Sequence, residues 1–130
     1  MSGANRYLAV KNATASKERL MVNLFETALR HMRVAMKHLE NKDVRAALPL
    51  LDKASQIVGY LHGTLNRSAA PAMVDSLAEI YVFTIARLMR SIVTHKVSDV
   101  REAERAFAPI VEGFQKAVAA MAPPATAARP

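Results

Sequence analysis

The chain has 130 residues, with 18 Lys and Arg against 11 Asp and Glu, a formal net charge of +7 and no cysteine. Disulfides and thiolate metal sites are thereby excluded, and 52% hydrophobic with 22% charged residues is the balance of a folded chain rather than a disordered one. A single domain of this length buries about two thirds of its unfolded-state surface, and charges interrupt every apolar run before it reaches the roughly 18 residues of a membrane helix.

Met1 to Val10 contains Arg6 and no continuous apolar stretch, so it does not read as a secretory signal and a cytoplasmic location is expected. Residues 1–15 read as a short N-terminal arm. Ser16 is a candidate helix N-cap, and Glu18 in the first turn suits the positive end of a helix. The first helix then runs to about Asn41, because Met21, Phe25, Ala28, Met32, Ala35 and Leu39 step by three or four. Leu20, Leu24, Leu29 and Met36 widen this stripe enough for two neighbours.

Asp43 caps a second helix reaching about Asn66, with Val44, Ala47, Leu51, Ala54, Val58, Leu61 and Leu65 at heptad spacing. Leu50, Ile57 and Tyr60 lie off that seam. Pro49 removes one backbone hydrogen bond and predicts a bend, and Gly59 and Gly63 weaken the far half. Residues 66–71 form the clearest loop. A third helix is expected from Ala72 to about His95, with Met73, Leu77, Ile80, Tyr81, Thr84, Leu88 and Ile92 inward and Val74, Ile85 and Met89 beside them.

Ser98 caps the fourth helix, and Asp99 and Glu102 occupy its first turn. Val100, Ala103, Phe107, Ile110, Phe114, Ala117 and Met121 repeat the heptad, with Pro109 predicting a second bend. Residues 122–130 carry three prolines and no large apolar side chain, the composition of a disordered tail. The expectation is an all-α chain: an antiparallel up-down four-helix bundle over 16–121, between a short N-terminal arm and a disordered C-terminal tail.

Residues for catalysis or metal binding are sparse. There is no glycine-rich phosphate loop, no Glu-x-x-His pair and no thiol, so neither an enzyme nor a bound cofactor is expected. His31 and His38 share a helix face but stand about 10 Å apart along the axis, too far to ligate one metal. They read as solvent-facing residues beside Arg30, Arg33 and Lys37. A nucleic-acid partner is the alternative that charge suggests: between 30 and 67, Arg30, Arg33, Lys37, Lys42, Arg45, Lys53 and Arg67 face only Glu40, Asp43 and Asp52. Against it, Arg87, Arg90, Arg101, Arg105 and Lys116 scatter over other helices, and the seven aromatic residues supply few stacking platforms. A helix-turn-helix reader would also need a short turn between short helices, which is absent from this pattern.

Specific strings carry a resemblance. Tyr7-Leu8-Ala9-Val10 leading to Ala15-Ser16, then LMVNLFETAL from Leu20 to Leu29, is similar to the flagellar secretion chaperones of the FliS family, with Lys17 where that family has proline. Lys53 to Val58 followed by Leu61-His62-Gly63-Thr64-Leu65-Asn66 resembles its second helix. Ile80-Tyr81-Val82-Phe83 with Arg87-Leu88 resembles the third, and Glu112-Gly113-Phe114 stands where an Asp-Ala-Trp is frequent in the fourth. The likeness covers roughly residues 7 to 118.

It implies a cytoplasmic, non-enzymatic chaperone for the disordered C-terminal segment of flagellin, which prevents premature polymerisation and delivers the client to the flagellar export gate. Such a client folds onto the bundle as helices in grooves, which requires apolar residues outside the core seam. Leu50, Ile57 and Tyr60 on the second helix and Phe107, Ile110, Val111 and Phe114 on the fourth are the candidates. The resemblance further implies that Tyr7, with Leu8 and Val10, takes part by covering the groove or assisting at the gate. A chain of this kind is expected to be monomeric or weakly self-associating, without insertion into a membrane.

Overall fold

A computed structural model describes residues 3–121, with side chains from Ser16 onward. Four helices follow in order: α1 (Gly3–Glu40), α2 (Val44–Gly63), α3 (Pro71–Thr94) and α4 (Val97–Met121). Each packs on two neighbours, in the cyclic order α1, α2, α3, α4, with no contact across either diagonal among the described residues. This is the up-down bundle that the short joints dictate.

The largest departure from the sequence reading is at the start. Ser16 is not a helix N-cap: α1 is helical from Gly3, so the backbone of residues 3–15, expected as an N-terminal arm, is helical and continuous with α1. No proline or glycine lies between Ala4 and Ser16, and Lys17 stands where a proline would have marked a helix start. The expected tail, residues 122–130, lies outside the described residues.

The joints are held by local hydrogen bonds. Lys42 turns the chain out of α1 in the left-handed region (φ 61°), while the Asp43 N–H donates to the His38 carbonyl at 2.7 Å. The Asp43 carboxylate then accepts from the Ala46 N–H at 3.2 Å, so the expected N-cap is present. Between α3 and α4, His95 repeats the left-handed turn (φ 59°). Ser98 does not cap α4, which already includes Val97. Asp99 does the work there: its buried carboxylate accepts from the Thr94 hydroxyl at 2.7 Å and faces Arg90 Nε at 3.7 Å. Asn66 organises the longer α2–α3 loop by accepting from both the N–H and the hydroxyl of Ser68.

The core alternates large and small side chains. Phe25, Met32 and Leu39 of α1 alternate with Ala28 and Ala35, while Ala47, Ala54, Ala78 and Ala103 line the facing helices, all of them buried. Phe107 is completely buried, with its ring 5.9 Å from Phe25 and 6.3 Å from Tyr81. Burial also pushes the Tyr81 phenol up to about 12. Two fully buried hydroxyls on α3 cost little, because Thr84 donates to the Ile80 carbonyl at 2.7 Å and Ser91 to the Leu88 carbonyl at 2.6 Å. Pro49 and Pro109 sit on exposed sides of α2 and α4, and both helices continue through them.

Gly59 and Gly113 lie inside helices where an added Cβ would meet nothing within 4 Å. Gly59→Ala and Gly113→Ala are each expected to stabilise the fold by about 0.5–1 kcal/mol. Thermal or urea unfolding followed by circular dichroism measures this, and a loss of stability in both variants would contradict the helical assignment.

Candidate partner-binding site

On α2 the fully buried line is Ala47, Leu51, Ala54 and Val58, and the next residues round the helix toward α1 are Lys53, Ile57 and Tyr60. They form one wall of a shallow groove of about 260 Å3, whose other wall is Leu24 and His31 of α1. Tyr60 is 55% exposed, and Leu20, one turn before Leu24, extends the apolar strip with equal exposure. Gln56, exposed, lines the outer rim beside Lys53. The groove thus offers apolar contact along its length and a cation at one side, the pattern that receives an amphipathic helix bearing an acidic residue.

His31 belongs to this groove and not to a solvent-facing row with Arg33 and Lys37. Partial burial, then the charges of Arg30 and Lys53, hold its imidazole below the usual 6.5. No group of three or more His, Cys, Asp or Glu residues able to hold a metal occurs among the described residues.

Two further grooves flank the bundle. Between α1 and α4, Arg30, Arg33, Lys37 and Val34 face Glu112 and Gln115 across about 510 Å3, with Gln115 donating to Glu26 at 3.1 Å and Arg33 paired to Glu104 at 3.6 Å. Between α2 and α3, His62 and Arg67 face Asp75, Glu79, Val82 and Phe83. The basic segment from 30 to 67 therefore does not form one face. Arg30, Arg33 and Lys37 go to the α1/α4 groove, Lys53 to the α1/α2 groove and Arg67 to the α2/α3 groove. Arg87 and Arg101 are spent on Glu102 and Glu40.

The structure separates the sequence-selected residues. Ile57 and Tyr60 come together in the α1/α2 groove, and Leu50 is half-buried, packed on the core. Phe107 and Val111 are corrected: both are fully buried and offer no surface to a partner. Ile110 and Phe114 are half-buried against the core, with the Phe114 ring 4.7 Å from Phe25. The error has a geometric cause. A straight helix of 3.6 residues per turn drifts about 20° per heptad against a strict seven-residue repeat. After Phe107 the buried line accordingly passes to Val111 and not to Ile110, and Met121 ends up exposed. The side chains of Tyr7, Leu8 and Val10 lie outside the described residues.

Sequence reasoning missed the outer face of α3. Met73 and Met89, read as core or core-flanking, are exposed, together with Val82, Phe83 and Val93. Apolar residues surround α3 on all sides, and its buried line is made of smaller or hydroxylated ones: Val74, Ala78, Thr84 and Ser91 beside Tyr81 and Leu88. Tyr81, Thr84 and Leu88 of the expected inner stripe are buried and Leu77, Ile80 and Ile92 are half-buried, whereas Met73 faces out and Val74, Ala78 and Ser91 complete the buried line. Ala78 and Ser91, at matching spacing with Tyr81, Thr84 and Leu88, were the available signal.

A family model described as flagellar protein FliS matches residues 1–121. Among solved structures, a bacterial flagellar chaperone is similar with a TM-score of 0.69 at 20% identity, over 78% of this chain and 83% of that one. No curated protein matches.

Two measurements test the assignment of core and groove. Phe107→Ala should cost about 3–5 kcal/mol of stability, whereas Tyr60→Ala should change it by about 0.5 kcal/mol or less; similar losses in denaturant titrations would refute the partition. His31, neutral in the fold, contributes stability that is complete above pH 6.5 and lost as pH falls through its lowered value. An NMR titration should find its midpoint below 6.5, and a midpoint above that would place it elsewhere.

Proposed function

The chain belongs to the FliS family of flagellar chaperones, and we propose that it binds the disordered C-terminal segment of flagellin in the cytoplasm, prevents its premature polymerisation and delivers it to the flagellar export gate. The observation that carries this reading is the α1/α2 groove: Tyr60 stands exposed beside Lys53, and Leu24 and Ile57, half-buried at the rim of the core, keep part of their apolar surface open to it. A disordered segment that folds on this strip gains by burying one apolar helix face and loses the entropy of its own ordering, so the complex is favourable only if several turns engage. Lys53 favours a client with an acidic residue on the helix flank.

The family is one of chaperones and not of enzymes. Function here lies in occupancy: apolar flagellin surface held against the bundle is unavailable for polymerisation. Release at the gate then requires that the hold be weak enough to exchange. In this reading Tyr7, Leu8 and Val10 act from the amino-terminal part of α1, competing with the client for the groove or meeting the gate, and Leu50 on α2 with Ile110 and Phe114 on α4 add partly open apolar surface outside the groove. No helix of the described residues is long and apolar enough to cross a membrane.

The test is calorimetric titration of the chain with the C-terminal segment of its cognate flagellin, with circular dichroism of the mixture. Binding with added helical signal is expected, and Ile57→Glu or Tyr60→Glu should weaken it about tenfold or more while leaving the melting transition in place. Absence of binding by the unaltered chain would overturn the proposal. Unchanged affinity in both variants would move the client to another groove.

A further inference from the structure

The two short joints lie at the same end of the bundle: α1 finishes there at Glu40, α2 begins at Val44, α3 finishes at Thr94 and α4 begins at Val97. With neighbouring helices about 8–10 Å apart, the four ends make one blunt face roughly 20 Å across. The opposite end is not blunt, because the register that sets Gln115 beside Glu26 carries α1 past Met121 and on to Gly3.

The acids of the blunt end are already engaged. Glu40 pairs with Arg101 at 3.7 Å, and Asp99 accepts from the Thr94 hydroxyl at 2.7 Å and faces Arg90 at 3.7 Å. The Asp43 carboxylate is turned back to the Ala46 N–H at 3.2 Å. Lys37, Lys42, Arg45 and Lys96 are exposed and form no ion pair among the described residues. Beside them, Met89 is 58% exposed and Val93 80%, one turn apart on the last turns of α3.

We propose that this end docks on an anionic phospholipid surface, with the bundle axis upright, the free cations on the phosphate headgroups and Val93 in the interfacial layer. Four cations distributed over a flat end match a plane of phosphates. A nucleic-acid strand would want a linear track with stacking faces, and neither 37–45 nor 89–101 contains a Phe, Tyr or Trp. It would also leave Val93 without an apolar partner, whereas the glycerol and upper acyl region of a bilayer supplies one.

Each Lys or Arg near an anionic leaflet favours binding about fivefold, so four multiply to on the order of several hundredfold, a reversible and salt-sensitive attachment without insertion. Tyr60 stands about 24 Å along α2 from Val44, well beyond the roughly 8 Å over which the surface charge acts. Docking therefore leaves the α1/α2 groove open and does not depend on any client.

Vesicle flotation of the full chain tests the proposal. The chain should float with phosphatidylcholine vesicles containing about one quarter phosphatidylglycerol, stay behind with phosphatidylcholine alone, and be released as salt is raised. Lys42→Glu with Lys96→Glu should lower the partition about a hundredfold or more. Arg67→Glu with Lys116→Glu makes the same change in net charge at the opposite end and should lower it about twofold or less. Val93→Ser should lower it about fivefold. If the first pair fails to melt cooperatively, Arg45→Glu with Lys96→Glu takes its place. No flotation with the anionic vesicles, equal flotation with the neutral ones, equal losses in the two charge-reversed pairs, an unaffected Val93→Ser, or displacement from the vesicles by duplex DNA at equal phosphate concentration would each overturn the proposal.

Discussion

The bundle depends on an aromatic contact between its two halves. Short joints tie α1 to α2 and α3 to α4, so the chain is two helical hairpins, and Phe25 of the first sits between Phe107 and Phe114 of the second. Phe107 also touches Tyr81 within its own hairpin, which anchors the ring from behind. The alanines in neighbouring layers let the helix backbones approach until these rings fill the remaining space. The positions of the outer grooves follow from this register. Once Phe107 and Val111 point inward, Glu112 and Gln115 must face α1, and the α1/α4 groove becomes polar.

The grooves consequently differ in chemistry although they arise from one repeated packing. The α1/α4 groove is lined by charges of both signs, partly satisfied by Glu104 and Gln115. The α1/α2 groove is mainly apolar with a cation at its side, and the outer ridge of α3 is apolar with opposite charges at its ends. A basic chain need not therefore be a polyanion binder. Ion pairing of Arg33, Arg87, Arg90 and Arg101 across helix boundaries uses four of the 18 cations to align α4 with its neighbours. Exposed pairs of this kind contribute little stability individually and act mainly on register.

Helix number, order and most boundaries were legible in the sequence, because heptad spacing on α1 and α2 and the Asp43 cap are local signals. The start of α1 was not. Ser16 has the chemistry of a cap, but a cap ends a helix only when the chain before it leaves the helical conformation, and residues 3–15 contain nothing that compels this. Ile57 and Tyr60 were readable as groove residues because they stand clear of a strong seam. Phe107 and Val111 were not, since a surplus of apolar residues on α4 looks the same whether the excess is outside or turned inward by helical drift. On α3 the difficulty was inverted: small and hydroxylated residues make the core line, and hydropathy alone ranks them below the methionines that face water.

The joints have a kinetic meaning. Three residues separate α1 from α2 and two separate α3 from α4, whereas seven lie between Gly63 and Pro71. Each hairpin closes over neighbouring sequence, so its own helix pairing has low contact order and should form early, within the microsecond-to-millisecond range of local helical folding. Phe25 and Phe107, by contrast, lie on the first and last helices, with both hairpins and the 64–70 segment between them. The α1–α4 pairing through Phe25 therefore spans the largest sequence separation in the bundle and carries its highest loop-closure cost.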